Sequence, residues 1–271
     1  MTRHNERGRM VFKVMSFNIR FGLADDGPNA WDNRKPLVAE TIHKEHPDLI
    51  GLQEALDFQL EFLEKALPEY TIDGNHGTED GVWRNCCALL YLPNRWKLLE
   101  AHTFWLSETP EVSSKSWGSL WPRRCTAGRY LELDSGRELW HFNTHLDFGE
   151  LAQVNGAAVV IRKVDELAGS APVVLTGDFN TFPKSHVWNL LTGKAEVGGV
   201  TGDFRDSWYE LNGDKPVSTY HGFGKNPMPD RIDWILYRGA LQPVESRVLT
   251  PPEGGPYPSD HSPVITTFEW I

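Results

Sequence analysis

The sequence reads as an α/β protein in which two β-sheets stack face to face and helices cover the outer faces. Strand-like apolar runs alternate with helix-like segments near both ends of the chain. Between residues 70 and 148 the runs are short, β-rich and separated by turn residues, an antiparallel pattern. No composition break demands a domain boundary and no repeat of solenoid period is present. Residues 10–271 are therefore expected to form one domain after a polar, disordered tail at 1–9.

In chain order, Val11–Phe17 reads as a strand ending at Asn18. Residues 22–31 are rich in Gly, Asp, Pro and Asn and read as a loop. Asp32 or Asn33 is expected to cap a helix with Pro36 in its first turn, Leu37, Val38 and Ile42 as its stripe and Pro47 as its stop. Asp48–Gln53 is a short apolar run, a buried strand leading to Glu54. Phe58, Leu60, Phe62, Leu63 and Leu67 give a second helix, stopped by Pro68.

Ala88–Leu92, Lys97–Trp105, Arg129–Leu133 and Glu138–His145 read as the antiparallel strands of the middle. Segment 107–127 has no period, and loops of that length in a compact domain are usually functional or disordered. Leu151, Val154, Ala158, Ile161 and Leu167 recur at helical spacing, which predicts a helix over Glu150–Ala168 ended by Gly169. Pro172–Thr176 is a buried strand, Ser185–Leu191 a short helix, and Ile232–Tyr237 and Val264–Trp270 two further strands.

The chain has 271 residues, 40% hydrophobic and 24% charged, which argues against disorder. Its formal net charge of −10 rules out a broadly cationic surface for sliding on nucleic acid, though not a local basic groove. No stretch approaches about 18 apolar residues, so no membrane span is encoded. Residues 1–10 lack the apolar core of a signal peptide, and the three cysteines, two of them the adjacent pair Cys86–Cys87, suit reduced thiols. A cytoplasmic monomer is expected.

Function is signalled by position. The apolar strands carry an acid, an amide or a histidine at one end: Asn18, Glu54, Asn143 and His145, Asp178 and Asn180, Asp233, and Asp260 with His261. If those ends share one rim, four carboxylates and two histidines converge. Four carboxylates cannot stay ionised together without compensation, and a hard divalent cation supplies it. Oxygen ligands select magnesium, with manganese as the alternative, over zinc. An Asp–His pair beside them can charge an imidazole for phosphate contact or proton transfer. The inventory suits metal-assisted hydrolysis of a phosphoryl group. By contrast, His43, His46, His76, His102, His141 and His186 read as packed or surface residues.

The segments Met15-Ser16-Phe17-Asn18, Ile50-Gly51-Leu52-Gln53-Glu54, Asn143-Thr144-His145-Leu146, Gly177-Asp178-Phe179-Asn180, Arg231-Ile232-Asp233-Trp234-Ile235 and Ser259-Asp260-His261-Ser262-Pro263 together resemble the endonuclease/exonuclease/phosphatase superfamily, in its order. The resemblance implies a four-layer α/β/β/α sandwich of two mixed sheets, like deoxyribonuclease I. It implies Glu54 as the main metal ligand with Asn18 and Asp260 beside it. Asp178, fixed by Asn180, would orient or deprotonate the attacking water. His261, paired with Asp233, would contact the phosphate, and His145 would stabilise the transition state or assist the leaving group. Where repair-type members carry an acid two residues after the first Asn, this chain has Arg20, and Ala55 follows Glu54 with no nearby Lys.

Gly177–Leu191 and the Phe104-Trp105-Leu106-Ser107 segment look more like the deadenylase and related bacterial branch, and uncharacterised bacterial members are the nearest likeness. Arg20, Trp121, Arg123, Arg124, Asn143 and His221 are the expected substrate-binding set, with Asn29, Trp31 and Arg34 as a further wall. Loop 249–259, stiffened by prolines, would place Asp260. The implied reaction is magnesium-dependent phosphoester hydrolysis, as a 3′–5′ exonuclease on RNA or short single strands or as a lipid or small-molecule phosphodiesterase or phosphatase. A DNA endonuclease, or a non-catalytic binding module, fits less well.

Overall fold

The computed structural model describes residues 10–73, 87–252 and 254–271. The expected tail at 1–9, together with His76, Cys86 and Glu253, lies outside them. The elements are β1 (Val11–Asn18), α1 (Trp31–Glu45), β2 (Leu49–Gln53), α2 (Asp57–Ala66), β3 (Thr71–Asp73), β4 (Cys87–Tyr91), β5 (Trp96–Trp105), β6 (Arg124–Glu132), β7 (Glu138–His145), α3 (Glu150–Ala168), β8 (Val173–Asp178), α4 (His186–Leu191), β9 (Arg205–Asp206), α5 (Ser207–Asn212), β10 (Asp233–Arg238), β11 (Leu241–Val248) and β12 (Val264–Trp270).

Among the described residues two six-stranded mixed sheets form, with orders β11-β12-β1-β2-β4-β3 and β5-β6-β7-β8-β10-β9. β1 and β2 run parallel, as do β7 and β8, whereas β10 and β12 run antiparallel to their central neighbours. Each central strand divides its residues by parity. On β1, Phe12 and Val14 enter the layer between the sheets, while Met15 and Phe17 pack beneath α1 and α2 with Val38, Ile42, Leu60 and Leu63. On the second sheet, Phe142, Leu175, Trp234 and Leu236 pack against Val160, Ile161 and Trp188 of α3 and α4. Helix, sheet, sheet and helix thus make the four layers that the motifs implied.

The inter-sheet face changes character along its length. Phe12, Val14, Leu49, Leu139, Val174, Ile235 and Tyr237 fill one end. Continuing each strand two residues at a time gives Ser16 and Asn18, Gly51 and Gln53, His141, Asn143 and His145, Thr176 and Asp178, and in the reverse direction Asp233, and every polar residue in this set is buried. The register seats Asp178 opposite both His145 and Asp233.

Several boundaries differ from the sequence reading. Helix α1 begins at Trp31 after Ala30, with no side-chain cap, so neither Asp32 nor Asn33 caps it and Pro36 lies inside the helix. The start is fixed by packing, since Trp31 is buried edge-on against Phe62 and beneath the Arg34 guanidinium. Strand β6 starts at Arg124 rather than Arg129, because pairing with β5 and β7 extends it, and the long loop ends at Arg123. Leu151 is exposed and leaves the expected α3 stripe. β3, β9, β11 and α5 were not foreseen. β11 carries Pro243 at a bulge on a sheet edge, a placement that hides a strand from propensity.

Gly51 is required by this packing. A Cβ there would lie 2.1 Å from Thr176 Oγ1 and 2.6 Å from Asn143 Oδ1 in the facing sheet. Gly51→Ala is expected to lower stability by about 1–3 kcal/mol through overpacking, read as a reduced urea midpoint at unchanged slope.

Candidate active site

The polar end of the inter-sheet layer opens at one rim, where strand ends and the turns after them deliver the side chains. Asn18 closes β1. Its Nδ2 donates to Glu54 Oε1 (3.0 Å) and to Asp178 Oδ2 (2.9 Å), while its Oδ1 accepts the Arg20 N–H (2.9 Å). That accepted N–H fixes the amide orientation. Asn18 therefore ties the two carboxylates together and turns its oxygen away from them, which departs from its expected part as a metal ligand. Glu54 stands just past β2 at φ 61° and its Oε2 accepts the Phe21 N–H (2.6 Å). Arg20 and Asn180 share this left-handed backbone, at φ 59° and 51°. Three non-glycine residues in that region at one rim store strain where geometry has to be held.

Asp178 Oδ1 accepts the Asn180 N–H (3.0 Å), and Asn180 Nδ2 donates to Leu146 O (2.9 Å) and lies 3.0 Å from His145 Nε2. His145 Nε2 is 3.4 Å from Asp178 Oδ2. On the other side, His261 Nδ1 is 2.9 Å from Asp233 Oδ2, and its Nε2 is 3.7 Å from Asp178 Oδ2. Two residues outside the expected set hold this side. Thr219 Oγ1 accepts the backbone N–H groups of Ile232 and Asp233, and Ser259 Oγ donates to Asn18 O (2.7 Å). Tyr220 stands edge-on to the His261 ring at 5.0 Å.

Burial pushes the Asp178 carboxyl up to about 7, reinforced by the Asp233 charge. Burial opposes charge on His261, but Asp233 and Asp178 outweigh it and hold the ring protonated up to about 10. Burial, with Arg123 and His261 nearby, keeps His145 well below the usual imidazole range, so it is neutral. One charged and one neutral imidazole thus flank the same carboxylate.

This donor set fits a divalent cation. Ligand atoms of Glu54, His145 and Asp178 all lie within 4.8 Å of one another, as do those of Asp178, Asp233 and His261. A protonated His261 bonded to Asp233 cannot coordinate, which leaves the Glu54–Asp178 oxygens and the neutral His145 as the candidate ligands. Among the described residues Asp260 joins neither cluster. Its Oδ2 is 3.6 Å from Arg20 Nη1, and Arg20 makes a bidentate pair with Asp26.

A pocket of about 250 Å³ opens beside Glu54 and His145 and is lined further by Arg20, Phe21, Cys87, Trp121, Pro122, Arg123, Arg124 and Phe148. Arg20, Trp121, Arg123 and Arg124 of the expected substrate-binding set therefore meet there. Asn143 does not: it is fully buried, donates to Leu52 O and Ala88 O, and accepts from Gln53 and Thr176. Its amide is consumed in joining the two sheets. His221 is also off the pocket, tilted against the Tyr257 ring at 4.9 Å, with burial lowering its ring to about 4. Trp31 and Arg34 form no outer wall. Arg34 is buried and donates to the carbonyls of Ile19, Arg20, Asn29 and Pro258, pinning the loops that carry Arg20 and Asp260.

Asp147 and Phe148 were missed. Asp147 follows the His145-Leu146 pair directly, and that position is the one hint the sequence held. Among the described residues no helix is long and apolar enough to cross a membrane.

A family model described as "Endonuclease/Exonuclease/phosphatase family" matches residues 15–261. An endonuclease/exonuclease/phosphatase from Bacteroides vulgatus superposes with a TM-score of 0.85 at 28% identity, covering 96% of this chain and 99% of that one. A mannosyl-6-phosphatase from Bacteroides thetaiotaomicron superposes at 0.82 with 29% identity, covering 96% and 100%. In sequence, Nocturnin of Xenopus laevis is 23% identical over 300 residues, covering 96% of this chain and 73% of the relative.

The charge on His261 depends on its partner. In chelator-treated protein, Asp233→Asn is expected to lower the pH at which the His261 ring loses its proton by about 1–3 units, read from ring resonances by NMR. Because the folded ring titrates near 10, above its ordinary 6.5, its stabilising charge is fully present below 6.5 and is lost as pH rises towards 10. In the variant that loss moves to lower pH.

Proposed function

Because the chain belongs to the endonuclease/exonuclease/phosphatase family, we propose that it is a divalent-metal-dependent phosphoester hydrolase acting on a small phosphorylated ligand. The observation that carries this reading is the adjacency of two features. The Glu54–His145–Asp178 cluster and the pocket bounded by Trp121, Arg123 and Phe148 share two residues, Glu54 and His145. A phosphate held at the cluster then has the rest of its molecule in a space of about 250 Å³, the size of a single sugar or nucleotide unit rather than a duplex.

Magnesium or manganese, held chiefly by Glu54, would supply Lewis-acid polarisation of the phosphoryl oxygen. Asp178, aimed by the Asn180 N–H and by Asn18, orients the attacking water and takes its proton. His261, kept cationic by Asp233, donates a hydrogen bond to a phosphoryl oxygen, where negative charge accumulates. Neutral His145 and Arg20 border the leaving oxygen. The water oxygen bonds to phosphorus as the P–O bond to the alcohol breaks, and the proton that Asp178 took from the water passes to the leaving alkoxide through solvent, so that phosphate and the free alcohol are the products. We read residues 10–271 as one such domain, working as a cytoplasmic monomer.

A second reading, a 3′–5′ exonuclease on single-stranded RNA, is favoured by the likeness to the CCR4-Not complex 3′–5′-exoribonuclease subunit Ccr4 of Mycosarcoma maydis, 21% identical over 97% of this chain and 51% of that one, and by Trp121, whose exposed ring could stack a terminal base. The net charge of −10 argues against long or duplex nucleic acid in either case.

A panel separates the readings: mannose 6-phosphate, a chromogenic phosphodiester, sphingomyelin, single-stranded RNA and duplex DNA, each with magnesium or manganese. Turnover of the small esters in preference to RNA is expected. Cleavage of RNA alone would establish the exonuclease, and inertness towards the whole panel would end the hydrolase reading. Glu54→Gln and His261→Ala are each expected to reduce kcat/KM at least about a hundredfold. EDTA should abolish turnover and added magnesium or manganese should restore it.

A further inference from the structure

The wall of the pocket and the chain on either side of it are more apolar than hydrolysis requires. Leu120 is 59% exposed, Trp121 43%, Phe148 62% and Leu151 64%. Single exposed hydrophobic residues are ordinary, but a group of them on an active-site rim marks a contact surface. Trp121 and Phe148 line the pocket itself. Leu120 precedes Trp121, and Leu151 lies three residues beyond Phe148 at the start of α3.

This wall is built rather than loose. Asp147, 3% exposed, holds both of its sides. Its Oδ2 accepts from Ser119 Oγ (2.9 Å) and the Leu120 N–H (3.1 Å), and lies 3.6 Å from Arg123 Nε. Its Oδ1 accepts the Phe148 N–H (2.8 Å). The Arg123 guanidinium lies over the Phe148 ring at 5.5 Å. The carboxylate sits below its usual range despite burial, because Ser119, Arg123 and the Phe148 and Gly149 N–H groups favour its charge.

Two of the three arginines on the pocket point the same way. Arg123 is committed to Asp147, and Arg20 to Asp26. Both are thus partly neutralised, which serves a polyanionic strand poorly. What the wall offers a ligand beyond the reacting phosphate is flat and aliphatic area.

We propose that Leu120, Trp121, Phe148 and Leu151 form a subsite for the apolar or aromatic part of the alcohol esterified to the phosphate. The substrates are then phosphoesters of apolar or ring-bearing alcohols, not polyanionic strands. This rests on the phosphoester-hydrolase reading above and narrows its substrate. Asp147 is the positioning residue of the subsite.

Phosphonates test it without turnover, because their C–P bond is not hydrolysed. Methyl-, hexyl- and phenylphosphonate are titrated calorimetrically into the full chain with magnesium. Hexyl- and phenylphosphonate are expected to bind at least about tenfold tighter than methylphosphonate, since each buried methylene adds affinity. Phe148→Ser and Leu151→Ser, both at exposed positions and so harmless to folding, are expected to cut that preference below about threefold. Asp147→Ala should do the same while Asp147→Asn, which keeps one acceptor oxygen, retains part of it.

Equal affinity for all three phosphonates would overturn the subsite and leave the hydrolase reading intact. A preference that survives both serine variants would overturn its location. Failure of every phosphonate, methylphosphonate included, to bind would overturn the hydrolase reading and the subsite with it. Sedimentation with phosphatidylcholine vesicles that Leu151→Ser abolishes, with no preference among phosphonates, would overturn it in favour of a membrane-facing surface.

Discussion

The structure depends on partnering polar groups in the layer buried between the two sheets, where most side-chain atoms, though not Gln53 Oε1, His141 Nδ1 or Asp233 Oδ1, find a hydrogen-bond partner. Two sheets packed face to face normally share an apolar interior, and here that holds at one end only. At the other end Ser16, Asn18, Gln53, His141, Asn143, Thr176, Asp178 and Asp233 are all buried. An unpaired amide or hydroxyl in such a place costs about 1–3 kcal/mol and an unpaired charge far more. Asn143 answers part of this by bonding the backbone of β2 and β4 from β7, while Thr176 bonds it from β8 and supports His141. Gly51 is small because those side chains need the space it leaves. The neutral polar network is what allows ionised groups to come next along the same strands.

The ionised groups then form a graded set. Asp178 is touched by Asn18, Asn180, His145 and His261 together. Its raised pKa and the lowered pKa of His145 are two consequences of one burial, and the raised pKa of His261 is the local compensation. A divalent cation beside Glu54 would add the remaining positive charge. The same logic explains why Arg20 stands where relatives with repair-type sites carry an acid: it neutralises Asp26 and Asp260 at the rim.

Outside the reacting groups, two buried ions act as clips. Arg34 reaches from α1 to four backbone carbonyls and joins the loop after β1 to Pro258, ahead of Asp260. Asp147 joins the long loop after β5 to the start of α3. Loops of this kind are where substrate preference is set, and rigid clips let them do so with little entropy left to lose on binding. Neither clip announces itself by residue type, since an arginine in an amphipathic helix and an aspartate before a helix are both ordinary surface residues in most sequences.

By itself the sequence determined what depends on local pattern. Helix α3 was legible to the residue from its 3.6-residue spacing, and β1, β2, β7, β10 and β12 to within a residue or two from their apolar runs. The rim residues were legible because side chains at strand ends are carried wherever the strands go, so Asn18, Glu54, His145, Asp178, Asp233 and His261 could be read as one set from their positions. The tertiary structure decided everything that two distant segments settle between them. It began α1 at a buried Trp31 instead of a capping aspartate, and it extended β6 to Arg124 by pairing on both edges. It turned Asn143 inward while Trp121 and Phe148 were left on the pocket. Periodicity reports which face of an element is buried. Only the packed fold reports what that face meets, and on that meeting depends whether a polar side chain binds a ligand or holds two sheets together.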